Sequence, residues 1–543
     1  MAGSTEAPLS TPHASDHRGV RTWHWRLWAT RAAELLALVF AVSLGGVSAT
    51  SLFPTTVQTD HYRAEVRLSA LPTFTSTIHS PTSFGDLDLE FTSAFPAPGI
   101  DATVQVRETI TSLFDDRRVS IESLQPSSKE ITDALGAGVT QLALKFAGGV
   151  LVVGAASIAV IAYARRRRPT LRQVGAVGLA GMLAIGGTGI GILGTYQPDQ
   201  LARFRTTGLL GTVRSNAGLL AGVEARAQEV TPYVTNLLAL SAALQEKFVP
   251  ADITKPPAAR FLLVSDIHGA NQYPVMKRII QDEKITAVID SGDLLNFGSV
   301  TEAELAGIFT SIKSLQVPYI FVRGNHDASS LSDQALIRRM ATIPNVVLLE
   351  PSPQSYTELT INGVTLAGFN DPRFFGDDNK AIPQKEQPAA DAFNRAFAAL
   401  PRPDMVVTHE PTAAKMVASA TVLVNGHLHK DELEGNRIGV GTFTGGGTMS
   451  HFLLDQQGTS QPGSADSGGE LAGQPYAFDI AVYGQSCDLT SLTRYTFRNL
   501  IQGRPVYDDV SVINGKIIAS REPGARTCAA DLGMSSMSVT VGG

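Results

Sequence analysis

Three stretches of this chain run so long without a charged side chain that they restrict its folding more than any other feature. The first extends from Leu35 to Thr59, the second from Phe146 to Ala164 and the third from Val174 to Tyr196. At a rise of about 1.5 Å per residue, the 19 residues of the second nearly match a hydrocarbon core of about 30 Å. Charged residues make up 17% of the chain, against roughly 25% in soluble domains, so the deficit agrees with segments that lie in lipid. These stretches are read as transmembrane helices over 31–53, 146–164 and 174–196. Gly187 and Gly191, at small-xxx-small spacing, predict that the last two pack together. Arg165, Arg166, Arg167, Arg168 and Arg172 crowd the loop 165–173, which the positive-inside rule places in the cytoplasm. Arg18, Arg21, Arg26 and Arg31 put the flexible tail 1–30 on that side as well. A multi-pass protein of the cell membrane follows, with everything after Tyr196 extracytoplasmic. In an alternative reading the first span is a signal anchor or a signal peptide cleaved near Val47-Ser48-Ala49, and the outward placement is the same.

Between the first two spans, DHYRAEVRLSA, FGDLDLEFTS and DATVQVRETI alternate apolar and polar residues, which predicts a small extracytoplasmic β-rich domain over 54–140. Val213, Leu220, Ala227, Val234, Leu237, Leu244 and Phe248 recur at helical spacing and predict a helical stalk over 197–250. Pro250, Pro256 and Pro257 end that pattern. From 251 to 543, short apolar runs (RFLLVS, ITAVID, VPYIFV, MVVTH, ATVLVN) alternate with helical segments, as in a layered α/β domain. Asn362-Gly363 marks a hairpin turn, and the Gly- and Ser-rich segment 456–474 reads as a flexible insertion. The two cysteines, Cys487 and Cys528, both fall in the outward part, where an oxidising compartment would allow them to pair. They exclude a cysteine-based zinc framework.

Five blocks in this last domain end on metal-binding side chains. They are Ser-Asp-Ile-His at 265–268, Ser-Gly-Asp at 291–293, Gly-Asn-His-Asp at 324–327, Thr-His-Glu at 408–410 and Gly-His-Leu-His at 426–429. Each follows a hydrophobic strand, and residues at the carboxyl ends of strands in an α/β sheet converge on one crevice. Carboxylate, amide and imidazole donors without thiolate suit two divalent cations such as Mn, Fe or Zn.

The ordered set DxH, GD, GNH(D/E), His and GHxH resembles the calcineurin-like metallophosphoesterases over about 258–450. The resemblance implies an α/β/β/α sandwich, here preceded by the three spans and the β-rich domain. It implies that Asp266, His268 and His429 bind one metal, that Asn325, His409 and His427 bind the other, and that Asp293 bridges them. It gives His326 electrostatic or general-acid work and leaves Asp327 to orient His326. Two such cations activate a water as hydroxide and neutralise phosphoryl oxygens, so the implied activity is hydrolysis of a phosphate ester. Gly-Asp-Leu-Leu-Asn-Phe-Gly at 292–298 lacks the Arg-containing extension of the serine/threonine protein phosphatases, and the expected substrate is a phosphodiester in preference to a monoester. A membrane anchor favours lipid-linked or envelope phosphates. Two rival readings are a nuclease, against which the net charge of -6 counts, and a non-catalytic membrane sensor or scaffold. Arg323 and Arg373 are candidate phosphate contacts or ion-pair residues, and Gly-Gly-Gly-Thr at 445–448 is read as a turn outside the site.

Overall fold

The computed structural model describes residues 18–59, 62–69, 76–82, 85–92, 97–106, 128–207, 256–377, 380–447, 474–501, 504–519 and 526–541. Helix α1 (Arg18–Leu52) is followed by β1 (Thr55–Gln58), β2 (Tyr62–Ser69), β3 (Thr77–Thr82), β4 (Gly85–Phe91) and β5 (Gly99–Val106). Next come α2 (Ser128–Arg165), α3 (Leu171–Thr195) and β6 (Leu201–Thr207). All three helices are long and apolar enough to cross a membrane, over Trp28–Leu52, Gly136–Arg165 and Leu171–Thr195. Leu36, Leu151, Val152, Met182 and Leu193 stand exposed on them, as lipid-facing side chains do.

Two expectations change here. The run from Ser128 to Lys145, assigned largely to the β-rich domain, is helical and continuous with the second span. About twenty residues at about 1.5 Å separate Lys145 from Arg165, close to one hydrocarbon thickness. In the part before Lys145, a Cβ on Gly138 would meet Val57 of β1. The second and third spans pack together as expected, with Gly154 against Val177 and Gly181 against Val150, but Gly187 has open space around it. The tightest approach lies elsewhere: a Cβ at Gly149 would overlap the Gly45 backbone, so α1 and α2 cross with backbones nearly touching.

The domain beyond 256 is built from two sheets. The first receives β7 (Ala259–Val264), β8 (Ala287–Asp290), β9 (Tyr319–Phe321) and β10 (Val346–Leu348) in parallel. The second holds β11 (Ser355–Ile361), β12 (Val364–Gly368), β13 (Met405–Val407), β14 (Val422–Asn425), β15 (Glu432–Glu434) and β16 (Arg437–Gly439). The chain then returns through β17 (Tyr476–Tyr483), β18 (Leu489–Ile501) and β19 (Arg504–Asn514) to the first sheet, and ends with β20 (Met534–Thr540) on the second. Asn362 and Gly363, at φ 53° and 91°, turn the β11–β12 hairpin.

The residues of β7 are buried or nearly so and alternate between two cores. Leu262 and Val264 pack toward the helix Tyr273–Glu283 and its neighbours. Phe261 and Leu263 pack between the sheets with Leu366, Val407 and Val424. A third core seals the second sheet under the helix Ile382–Phe397. Three cores separate four layers, which gives the expected α/β/β/α sandwich.

The β-rich part is not an independent domain. β6 pairs with β4 on one side and β19 on the other, so one thirteen-stranded sheet joins residues 55–106 to the domain beyond 256. The stalk expected from 197 is thus a strand at Leu201–Thr207, where Leu201, Phe204 and Thr206 are buried and Arg203 and Arg205 are not. The helical pattern from Val213 to Phe248 and most of the insertion 456–474 lie outside the described residues.

Cys487 and Cys528 form a disulfide across 41 residues. It ties the β17–β18 turn of the first sheet to the lead-in of β20 on the second. Replacing both cysteines with alanine is expected to cost about 2–4 kcal/mol, seen as an earlier thermal transition for the double variant than for the oxidised chain.

Candidate metal centre

The chemistry-bearing loops leave the carboxyl ends of β7, β8, β9, β13 and β14 and are laced together by main-chain bonds. Asp266 N donates to Gly292 O at 2.9 Å, His268 N to Asp293 O at 2.9 Å and Gly269 N to Leu294 O at 2.9 Å. Gly292 has φ 105°, and a Cβ there would meet the Gly324 amide. Only glycine lets the Gly-Asn-His loop pass so close. Asp266, His268, Asp293, His427 and His429 all have φ between 47° and 74°, a left-handed conformation that costs non-glycine residues on the order of 1–3 kcal/mol. The packed loops hold five adverse backbones in one place.

Six of the expected ligands gather as two triads, Asp266 with His268 and His429, and Asp293 with His409 and His427. His268 Nε2 and His429 Nε2 lie 2.9 Å apart. His429 Nε2 is 3.3 Å from Asp266 Oδ1, and His409 Nε2 is 3.2 Å from Asp293 Oδ2. The same Asp293 oxygen is 3.8 Å from His268 Nε2, so this carboxylate stands between the triads. His268 Nδ1 donates to Leu295 O and His409 Nδ1 to Ser291 O, which turns both Nε2 atoms inward. The seventh residue, Asn325, carries a buried Oδ1 with no hydrogen-bond partner among the described residues. A buried amide oxygen without a donor is costly unless a cation takes its place, so this donor set fits a pair of divalent ions.

The electrostatics point the same way. Burial alone would raise the Asp293 carboxyl, but His409 and His268 hold it well below the usual range. Burial would likewise raise Asp266, and the hydrogen bond from His429 together with the charges of His409 and His429 outweighs it. Both carboxylates stay ionised in an interior that would otherwise neutralise them.

His326 lies beside this pair. Its amide donates to Asp293 Oδ1 at 2.7 Å and its Nδ1 to Asn296 O at 2.7 Å, which leaves Nε2 as the ring nitrogen not engaged by that bond. Asp327 does not orient the His326 ring as expected. Its buried carboxylate accepts from the Gly324, Asp293 and Leu295 amides, at 2.8, 2.9 and 2.9 Å. It clamps the two ligand loops, and Asn296 takes the orienting role. The glycines of the 445–448 segment, of which Thr448 lies outside the described residues, are also closer than expected. Thr444 Oγ1 donates to Ile267 O, and a Cβ on Gly447 would overlap His268, so this turn backs the first ligand loop.

Neither candidate arginine faces substrate. Arg323 donates to Asp371 O and Asp333 O. Arg373, 2% exposed, binds Asp371 and Glu410 at 2.7 Å and Glu386 at 2.9 Å. Glu410, unassigned from the sequence although it ends the Thr-His-Glu block, also sits 3.2 Å from His427 Nε2. It therefore steers that ring and leaves Nδ1 on the His409 side.

One guanidinium among three buried carboxylates leaves a charge to neutralise, and burial with Asp371 alongside pushes Glu386 up to about 9. The folded state thus keeps a proton that the unfolded chain releases near 4.5. That contribution is whole below pH 4.5 and is lost as pH rises toward 9. Glu386→Gln should melt with the wild type at pH 5 and above it at pH 8, a difference thermal scans across that range will reveal.

Residues 259–431 match the family model of the calcineurin-like phosphoesterases, and this segment is a domain of that family. No curated protein matches the chain. Similar solved structures include a dimetal phosphatase from Danio rerio, at 12% identity and TM-score 0.28, over 48% of this chain and 100% of that one. A purple acid phosphatase from yellow lupin seeds matches at 14% identity and TM-score 0.28, over 47% of this chain and 54% of its own. A 5'-nucleotidase precursor from Thermus thermophilus matches at 12% and 0.25, over 48% and 55%. The chain thus spans about half the length of the last two.

Proposed function

We propose that this chain is a membrane-anchored phosphoesterase that hydrolyses a phosphodiester in preference to a monoester, with its catalytic domain on the extracytoplasmic side. The observation that carries the reading is the convergence of two Asp-His-His triads, with the orphaned Asn325 oxygen in the loop whose His326 amide binds Asp293. Asp266, His268 and His429 would hold one divalent cation and Asn325, His409 and His427 the other, with Asp293 shared. Bound there, such cations supply a nucleophile at neutral pH and neutralise phosphoryl charge. His326 offers Nε2 to the phosphoryl or leaving-group oxygen, aimed by Asn296 O. Asp327 keeps the loops of Asp293 and Asn325 in register, and Glu410 fixes the His427 ring.

The orientation is supported by the shared sheet. Because strands before α2 and after α3 lie in one sheet, both flank the same membrane face, opposite the arginines between those helices. The disulfide agrees with an oxidising compartment. Proximity to the bilayer supports a lipid-linked or envelope phosphate as substrate.

The test is hydrolysis of bis-p-nitrophenyl phosphate against p-nitrophenyl phosphate by the full chain with Mn²⁺. The diester should be preferred, and a clear monoester preference would remove that assignment. His326→Ala should lower kcat by about 10²–10³-fold. Two bound metals with no hydrolysis, and no effect of His326→Ala on anything measured, would point to a binding module instead.

A further inference from the structure

Phe297 and Phe375 stand uncovered at the edge of the metal centre, 49% and 39% exposed. Their rings meet edge to face with centroids 5.4 Å apart. Phe375 lies 5.4 Å from the His326 ring, and His326 lies 4.9 Å from His268. A row of four rings therefore leads from a metal-ligand histidine, through the residue offered to the ester oxygens, to an apolar pair open to solvent. Both phenylalanines are fixed from behind. Phe375 N donates to Ala328 O at 2.8 Å, and Phe297 N donates to Glu302 Oε2 at 3.0 Å. Phe297 also follows Asn296, whose carbonyl aims His326. On the other flank, Leu428 is 49% exposed between His427 and His429.

Resting on the phosphoesterase reading, we infer that the site takes a phosphoester bearing an apolar substituent, which packs on Phe297 and Phe375 while the phosphoryl group meets the metal centre and His326. Single exposed apolar side chains are ordinary. Two that touch each other, one of them against the His326 ring, form a preorganised face, and covering it releases apolar area from water. A polar substituent there would find no donor on either ring. Aromatic and alkyl groups share the required chemistry.

The experiment measures binding of methyl-, n-butyl- and phenylphosphonate to the Mn²⁺-loaded full chain in nanodiscs by calorimetry, with empty nanodiscs as blank. The wild type should bind butyl- or phenylphosphonate about tenfold more tightly than methylphosphonate. A lead for phenyl marks an aromatic group, and parity of butyl with phenyl marks an alkyl chain. In Phe297→Ala/Phe375→Ala the preference should fall to within about twofold, with methylphosphonate affinity and metal content retained. Equal binding of all three by the wild type, or a parallel loss of all three in the variant, would overturn the inference. If the double variant loses metal, Phe297→Ala alone, one ring removed from His326, must still lower the preference. Failure of methylphosphonate to bind the metal-loaded wild type would instead defeat the phosphoesterase reading, and this inference with it.

Discussion

Asp293→Ala is expected to lower kcat/KM for any phosphoester by about 10³-fold or more, because it removes the one carboxylate that lies between both triads and with it several kcal/mol of charge stabilisation. The loss should fall on kcat and on bound metal together, since His268 and His409 would each keep their own partners while the pair of ions lost its common ligand. Asp293→Asn keeps the shape and a neutral oxygen and should lie between the two. Steady-state rates with parallel metal analysis will show whether rate and metal occupancy decline together. A variant with full metal content and near-wild-type kcat would mean that Asp293 is only a turn residue.

The second large effect is on stability. Arg373→Ala would leave the carboxylates of Asp371 and Glu410 buried without their cation and the Glu386 carboxyl without its donor, and breaking a buried ion cluster from one side costs about 3–5 kcal/mol. At roughly 2–4 °C per kcal/mol for a domain of this size, the thermal midpoint should drop by on the order of 10 °C. Arg373→Lys should recover little, because one ammonium cannot serve three acidic groups placed around a planar fork. A substrate contact would give the opposite signature, a raised KM with an unchanged midpoint. Denaturation scans beside Michaelis kinetics separate the two.

The ligand blocks were legible because each is a short loop at the end of an apolar strand, and the chain order of DxH, GD, GNH, His and GHxH survives folding as spatial convergence. The layered core was legible for the same reason: runs such as RFLLV can only be buried on both faces. What escaped the sequence depends on pairing between distant segments. LARFRTT at 201–207 alternates over only seven residues beside a longer helical pattern, and its partners β4 and β19 lie more than a hundred residues away in each direction. Glu410 was in plain view next to His409, but its role arises from a guanidinium 37 positions away and an imidazole 17 positions on. Phe297 and Phe375 are far apart in the chain, and only the contact of Phe297 with Phe375, and of Phe375 with His326, gives them meaning. The continuity of the sheet also has a practical consequence. A fragment beginning at 251 would strip β6 from β19 and bare a long edge strand, so activity belongs to measurements on the whole chain.

Anomalous diffraction from crystals of the full chain grown with Mn²⁺ tests the central claim most directly. Two peaks about 3.5–4 Å apart are predicted, one among Asp266, His268 and His429, the other among Asn325, His409 and His427, with Asp293 reaching both. A single peak, or none within reach of those side chains, would contradict the account.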